Sequence, residues 1–127
     1  MVSFHARNGD IIYDLGCSTG STIVLMDQHL RHLNIQFIGI DASPSMVEKS
    51  LAKIEQHKIT RAKILQENII DYHLEKCGVV IINYTLQFID PKKREDIIKK
   101  IYQSLRPGGI LILTEKIIFQ NYLLQRT

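Results

Sequence analysis

Tryptophan is missing from the 127 residues, and there are only two cysteines and three prolines. Two cysteines, Cys17 and Cys77, cannot build the disulfide framework on which small exported domains rely, so both are expected to be reduced thiols. No C-x-x-C or H-E-x-x-H spacing occurs, so no metal site is expected. Apolar runs such as 79–82 and 109–113 fall far short of the ~20 residues that a membrane-crossing helix needs. The opening Met1-Val2-Ser3-Phe4-His5-Ala6-Arg7 has no apolar core of signal-peptide length, so the expectation is a cytoplasmic protein with no membrane partner. Charge of one sign is also scarce. Sixteen Lys and Arg against thirteen Asp and Glu leave a formal charge of +3, too little by itself to imply direct nucleic-acid binding. Repeats, low-complexity stretches and linkers are absent, and the length suits one domain, residues 1–127.

What is present is an alternation of two kinds of element. Residues 10–15 form a short apolar run closed by Gly16, which reads as a buried strand. The Ser/Thr/Gly segment 18–22 can cap a helix, and Ile23, Met26, Leu30 and Leu33 recur at helical spacing. Residues 35–40 read as a second strand ending at Asp41. Ser43 then supplies an N-cap and Pro44 a first helical position, with Val47, Leu51 and Ile54 as the buried face. Residues 62–66 make a weaker third strand and 78–83 a strong fourth. Asp90-Pro91 opens another helix, striped by Ile97, Ile98, Ile101 and Leu105 and stopped by Arg106-Pro107-Gly108-Gly109. Residues 110–114 are a fifth strand. Strands apolar on both faces, separated by helices, imply a doubly wound, mostly parallel α/β sheet of about five strands. In such sheets ligands bind beyond the carboxyl ends of the strands.

Those strand ends carry the candidate residues. Gly16-Cys17-Ser18 follows the first strand, where small residues let a ligand approach the backbone and a helix N-terminus offers free N–H groups. Ser18 stands where the second glycine of G-x-G-x-x-G belongs, which weighs against a nicotinamide or flavin pyrophosphate. Asp41, 25 residues after Gly16, can accept both hydroxyls of a ribose, or else cap the helix beside Ser43. Asn68-Ile69, after the third strand, suits the edge and face of a purine, or is a polar loop. Asn83 ends the fourth strand, where it faces the reactive end of a ligand or satisfies local backbone.

The order Asp14-Leu15-Gly16, Asp41, and Leu105-Arg106-Pro107-Gly108-Gly109 resembles class I S-adenosylmethionine-dependent methyltransferases. The strings Tyr13-Asp14-Leu15-Gly16-Cys17-Ser18, Ile40-Asp41-Ala42-Ser43-Pro44-Ser45-Met46, Asn83-Tyr84-Thr85-Leu86-Gln87-Phe88, Lys100-Ile101-Tyr102-Gln103 and Thr114-Glu115-Lys116 are similar to those of carboxy-S-adenosyl-L-methionine synthases, from about residue 11 to 119. The resemblance implies a Rossmann-like methyltransferase core. It also implies conversion of S-adenosylmethionine and prephenate to carboxy-S-adenosylmethionine and phenylpyruvate, the product feeding tRNA wobble-uridine modification. In that family prephenate decarboxylation supplies carbon dioxide, the hydroxide released takes a proton from the sulfonium methyl, and the ylide traps the carbon dioxide. Such chemistry asks the protein to position ligands and exclude water, so no catalytic side chain is assigned. The family's cofactor contacts fall on Gly16, Cys17, Ser18, Asp41, Ala42, Asn68, Ile69 and Asn83, and the cofactor is S-adenosyl-L-methionine or its carboxylated form. Asn68 replaces the usual aspartate. Family members extend beyond both ends of this sequence, upstream with a cofactor-contacting tyrosine and downstream with an arginine that a partner subunit contributes. The expectation is therefore a cofactor-binding core, truncated at both ends, of a homodimeric enzyme. Its own tail (116–124) or a dimer partner is expected to cover the fifth strand.

Two other readings stay open: a methyltransferase acting on a small molecule or RNA, and a nucleoside-binding or assembly module without turnover. His29 and His32, three apart on a helix, and the basic run Lys92-Lys93-Arg94 with Lys99 and Lys100 read as solvated faces. Cys17 reads as a small shape-fitting side chain, and Tyr84 and Phe88 as core or pocket wall.

Overall fold

A computed structural model describes residues 5–83, 85, 89–114 and 121–126, with 121–125 described through the backbone only. The expected alternation is present. The elements are β1 (Ile11–Leu15), α1 (Ser21–His29), β2 (Gln36–Asp41), α2 (Pro44–Gln56), β3 (Ala62–Gln66), β4 (Cys77–Asn83), α3 (Pro91–Ser104), β5 (Leu105–Thr114) and β6 (Asn121–Gln125). The strands form one sheet in the order β3-β2-β1-β4-β5-β6. The first five are parallel, and β6 pairs antiparallel with β5 from Ile110↔Gln125 to Thr114↔Asn121. Crossing from β3 to β4 reverses the direction of winding, which leaves a crevice beyond the ends of β1 and β4.

Side-chain alternation splits the sheet's apolar residues between two cores. Ile12, Phe37, Val79, Ile81 and Ile110 face α1 and α2 with Ile23, Met26, Leu30 and Ile54. Tyr13, Leu15, Ile38, Ile40, Val80, Ile82 and Leu111 face α3 with Ile97 and Ile101. Because β1 and β4 are buried on both faces, they read in sequence as continuous apolar runs.

Several local expectations are corrected. Helix α1 begins inside the expected capping segment 18–22, with Gly20 (φ 83) as its N-cap and no side-chain cap bond. It ends at His29, short of Leu33, because the Arg61 guanidinium donates to the carbonyls of Asp27, Leu30 and Leu33 and so satisfies the chain without a further helical turn. In α2, Ser43 and Pro44 act as expected, but Leu51 is 50% exposed and the neighbouring Ser50 is fully buried. A Cβ on Gly20 would stand 3.4 Å from the Ser50 Cα, so α2 presents a small residue where it crosses the β1–α1 turn. Leu105 belongs to β5 rather than to the stripe of α3. Arg106-Pro107-Gly108-Gly109 follows the end of α3 as expected, but it forms the irregular start of β5 rather than a separate turn, with a register shift opposite Cys77 and Val79. Arg106 there forms a bidentate pair with Asp10, at 2.7 and 2.6 Å.

Of the segment expected to cover β5, residues 121–124 lie in β6, and 116–120 fall outside the described residues. Tyr84 and Phe88 also fall outside them. Among the described residues no helix is long and apolar enough to cross a membrane, and no three His, Cys, Asp or Glu side chains are placed to hold a metal ion.

Candidate functional site

The carboxyl ends of β1, β2, β3 and β4 surround an open cavity of about 600 Å³. All eight residues singled out in the sequence line it: Gly16, Cys17, Ser18, Asp41, Ala42, Asn68, Ile69 and Asn83. Sequence reasoning missed Asp14, Thr19, Ser21, Thr22, Glu67, Thr85 and Ile89, which line it too.

The turn after β1 is tied to the end of β2. Gly16 and Cys17 donate their N–H groups to the Ile40 carbonyl at 2.7 and 3.0 Å. Gly16 has φ +76, and a Cβ there would run into the Thr85 side chain, so this position needs glycine on both counts. Ser18 adopts φ 51 without being glycine. Two contacts hold it there: its N–H donates to Asp41 Oδ2 at 2.9 Å, and its carbonyl accepts from the buried Ser50 hydroxyl.

Asp41 thus has a backbone role as well as a place in the cavity wall. Oδ2 accepts from Ser18 N and Oδ1 from Ser43 N, each at 2.9 Å. These two bonds fix the carboxylate plane, and each oxygen keeps a further lone pair for another donor. The two sequence readings of Asp41, helix cap and ligand anchor, are therefore compatible.

Asn68 is exposed, and its Oδ1 accepts from Ile70 N at 2.9 Å. That bond fixes the orientation of the amide and leaves its NH₂ as the free donor. Ile69 beside it is 9% exposed and forms an apolar wall. Asn83 Nδ2 donates to Thr22 Oγ1 at 3.2 Å, joining the end of β4 to the first turn of α1. Thr85 Oγ1 donates to the Asn83 carbonyl at 2.9 Å.

Cys17 is buried beside the Ser50 hydroxyl, and burial pushes its thiol up to about 11. A thiol protonated at neutral pH is a poor nucleophile, in line with a space-filling role. Asp14 is the unexpected feature. It is 1% exposed, and neither carboxylate oxygen has a hydrogen-bond partner. Burial first, and the nearby Asp41 second, raise its pKa from 3.8 to about 7. The sequence signal was available: a carboxylate in mid-strand within an otherwise apolar run, two residues before the glycine turn. The charged side chains lining the cavity are Asp14, Asp41 and Glu67, and no Lys, Arg or His is among the described lining residues.

The fold and this crevice define a class: doubly wound α/β domains that take a small ligand across the ends of the central strands. A model of the methyltransferase domain family matches residues 12–109, and the chain belongs to that family. Among curated proteins it is 43% identical to the carboxy-S-adenosyl-L-methionine synthase of Desulfotalea psychrophila, over 96% of this chain and 50% of that protein. It is 40% identical to the synthase of the same name from Vibrio campbellii, over 87% of this chain and 45% of that protein. The chain spans about half the length of these curated relatives. Among solved structures it is similar in fold to a SAM-dependent methyltransferase from Geobacter sulfurreducens in complex with S-adenosyl-L-homocysteine, with a TM-score of 0.69 and 21% identity, over 88% of this chain and 44% of that one.

Proposed function

We propose that the cavity binds S-adenosyl-L-methionine and that the chain is the cofactor-binding core of a carboxy-S-adenosyl-L-methionine synthase. The observation that carries the ligand reading is electrostatic. Among the described residues three carboxylates and no cation line the cavity, and one of them, Asp14, is buried without a partner. A dinucleotide pyrophosphate would meet repulsion there, whereas a ligand bearing a sulfonium and an ammonium meets attraction. S-Adenosylmethionine supplies, when bound, an electron-poor methyl group on sulfur.

Each residue then has a task. Asp41, held by Ser18 and Ser43, accepts the ribose hydroxyls. Ile69 packs against the base, and the Asn68 NH₂ donates to its edge. Gly16 and Cys17 let the ligand lie close to the backbone, Ala42 adds wall, and Asn83 holds the α1 end of the cavity in place. Asp14 attracts the cationic end of the ligand from beneath the floor. The synthase reading is supported by the curated relatives' shared name and by the sequence strings given above; prephenate as second substrate, a product destined for tRNA wobble-uridine modification, and a homodimer follow from the family resemblance of those strings alone.

The test is calorimetry with S-adenosylmethionine, together with mass spectrometry of any ligand released from the purified protein. Binding is expected, and Asp41→Ala is expected to weaken it by ~1–3 kcal/mol, the cost of losing charge-assisted hydrogen bonds. Equal affinity in Asp41→Ala would remove that carboxylate from the site. No heat with the wild-type chain would overturn the reading.

A further inference from the structure

The 67–76 segment brings Asn68 and Ile69 to the cavity, yet only part of it is held by the backbone of its own turn. Asp71 and Tyr72 donate to the Asn68 carbonyl at 3.1 and 3.0 Å, and Ile70 donates to the Asn68 side chain. The carbonyls of Ile69, Ile70 and Tyr72 all point toward one atom, the Lys100 Nζ on α3, at 2.8, 3.1 and 2.7 Å. An ammonium has three protons, and all three are used on this one loop.

We infer that Lys100 is a positioning residue for the cavity: its ammonium fixes the 68–72 loop in the one arrangement that presents Asn68 and Ile69 to the base of the ligand. The inference rests on reading the cavity as a nucleoside site. Lys100 is half-buried, and burial lowers its pKa while Asp71 opposes that shift. A desolvated ammonium costs free energy unless its hydrogen bonds are complete, so the residue is poorly explained as a solvated helix face. Arg61 and Arg126 also take three carbonyls each, but both of those sets lie at helix ends. Arg61 binds the carbonyls of Asp27, in the last turn of α1, and of Leu30 and Leu33 just beyond it, and Arg126 those of Tyr102, Gln103 and Leu105 at the end of α3. The acceptors of Lys100 lie instead in a loop that forms a wall of the cavity. The basic run of α3 therefore divides by role. Lys92, Lys93 and Lys99 are exposed, and Lys100 turns inward to the site.

The experiment compares Lys100→Met, similar in length but without donors, and Lys100→Arg, which keeps charge and donors, with the wild-type chain. S-Adenosyl-L-homocysteine affinity is measured by calorimetry well below each melting temperature, and backbone amide exchange is measured without ligand. Lys100→Met is expected to bind roughly tenfold more weakly, because the loop must then be ordered by the ligand itself. Its faster exchange is expected to be confined to 68–72, with the Ser18 and Ser43 amides that hold Asp41 unchanged. Lys100→Arg is expected to restore most of both. Wild-type affinity in Lys100→Met, or exchange raised evenly across the sheet, would overturn the inference in favour of a general stabilising role. If Lys100→Met does not fold, Lys100→Arg decides alone: it must keep both wild-type affinity and slow exchange at 68–72. A wild-type chain that fails to bind the ligand sinks the nucleoside reading, while the exchange pattern still reports whether Lys100 holds the loop.

Discussion

Asp14 shows how much one residue can reveal about this site. It has a carboxylate where a soluble domain ordinarily places a branched apolar side chain, in a strand whose other central residues are buried. Its folded-state pKa of about 7 lies above the value near 4 expected of an unfolded chain. Between those values the folded form holds a proton that the unfolded form has lost. The stability contribution is therefore complete below about pH 4 and is lost as pH rises through 7. Urea unfolding of the wild-type chain should give a stability that falls from pH 5 to pH 8, by as much as ~3 kcal/mol from this group. Asp14→Asn should remove most of that slope. The buried amide carries its own desolvation cost at every pH, so the slope is diagnostic and the absolute value is not. The same variant should bind S-adenosylmethionine less tightly above pH 7, where the wild-type carboxylate is charged.

At the scale of elements, the turn between β1 and α1 is over-determined. Its backbone donates to the end of β2, its serine carbonyl is held by α2, and its glycine lies under Thr85. Gly16→Ala would impose a left-handed conformation on an alanine, at a cost of roughly 1–2 kcal/mol, and would also drive a methyl into Thr85. Reduced thermal stability and loss of ligand binding are expected together. Adding Thr85→Gly should recover the part due to the clash but not the part due to backbone strain, which a double-mutant cycle by thermal unfolding measures. The α2 helix illustrates the limits of periodicity. Apolar spacing pointed to Leu51 as a core residue, but the close approach to Gly20 selects Ser50 for the inner position and leaves Leu51 half exposed.

For the whole molecule, the acidic cavity sets a preference among related ligands. Carboxy-S-adenosylmethionine carries one more negative charge than S-adenosylmethionine, and the described lining residues offer no cation to meet it. Competition calorimetry on this chain should therefore show the carboxylated form bound at least roughly tenfold more weakly. Equal or tighter binding would show that a cation reaches the cavity from beyond its described lining. The family expectation of an arginine contributed by a partner subunit is consistent with that division of labour.

Local sequence alone determined the order of strands and helices as far as β5, because strands covered on both faces must be apolar throughout and crossover helices need caps and stripes; the antiparallel β6 was not legible there. It also indicated the strand ends as the place to look, and all eight residues chosen there line one cavity. Tertiary structure decided what depends on contacts distant in sequence. Examples are the early end of α1 at the Arg61 guanidinium, the inward turn of Ser50, and the assignment of Leu105 to β5. The charge state of Asp14 and the three-carbonyl grip of Lys100 belong to the same group. The physical reason is range: propensity and periodicity act within a few residues, whereas desolvation, close backbone approach and convergent hydrogen bonds exist only once remote segments have met.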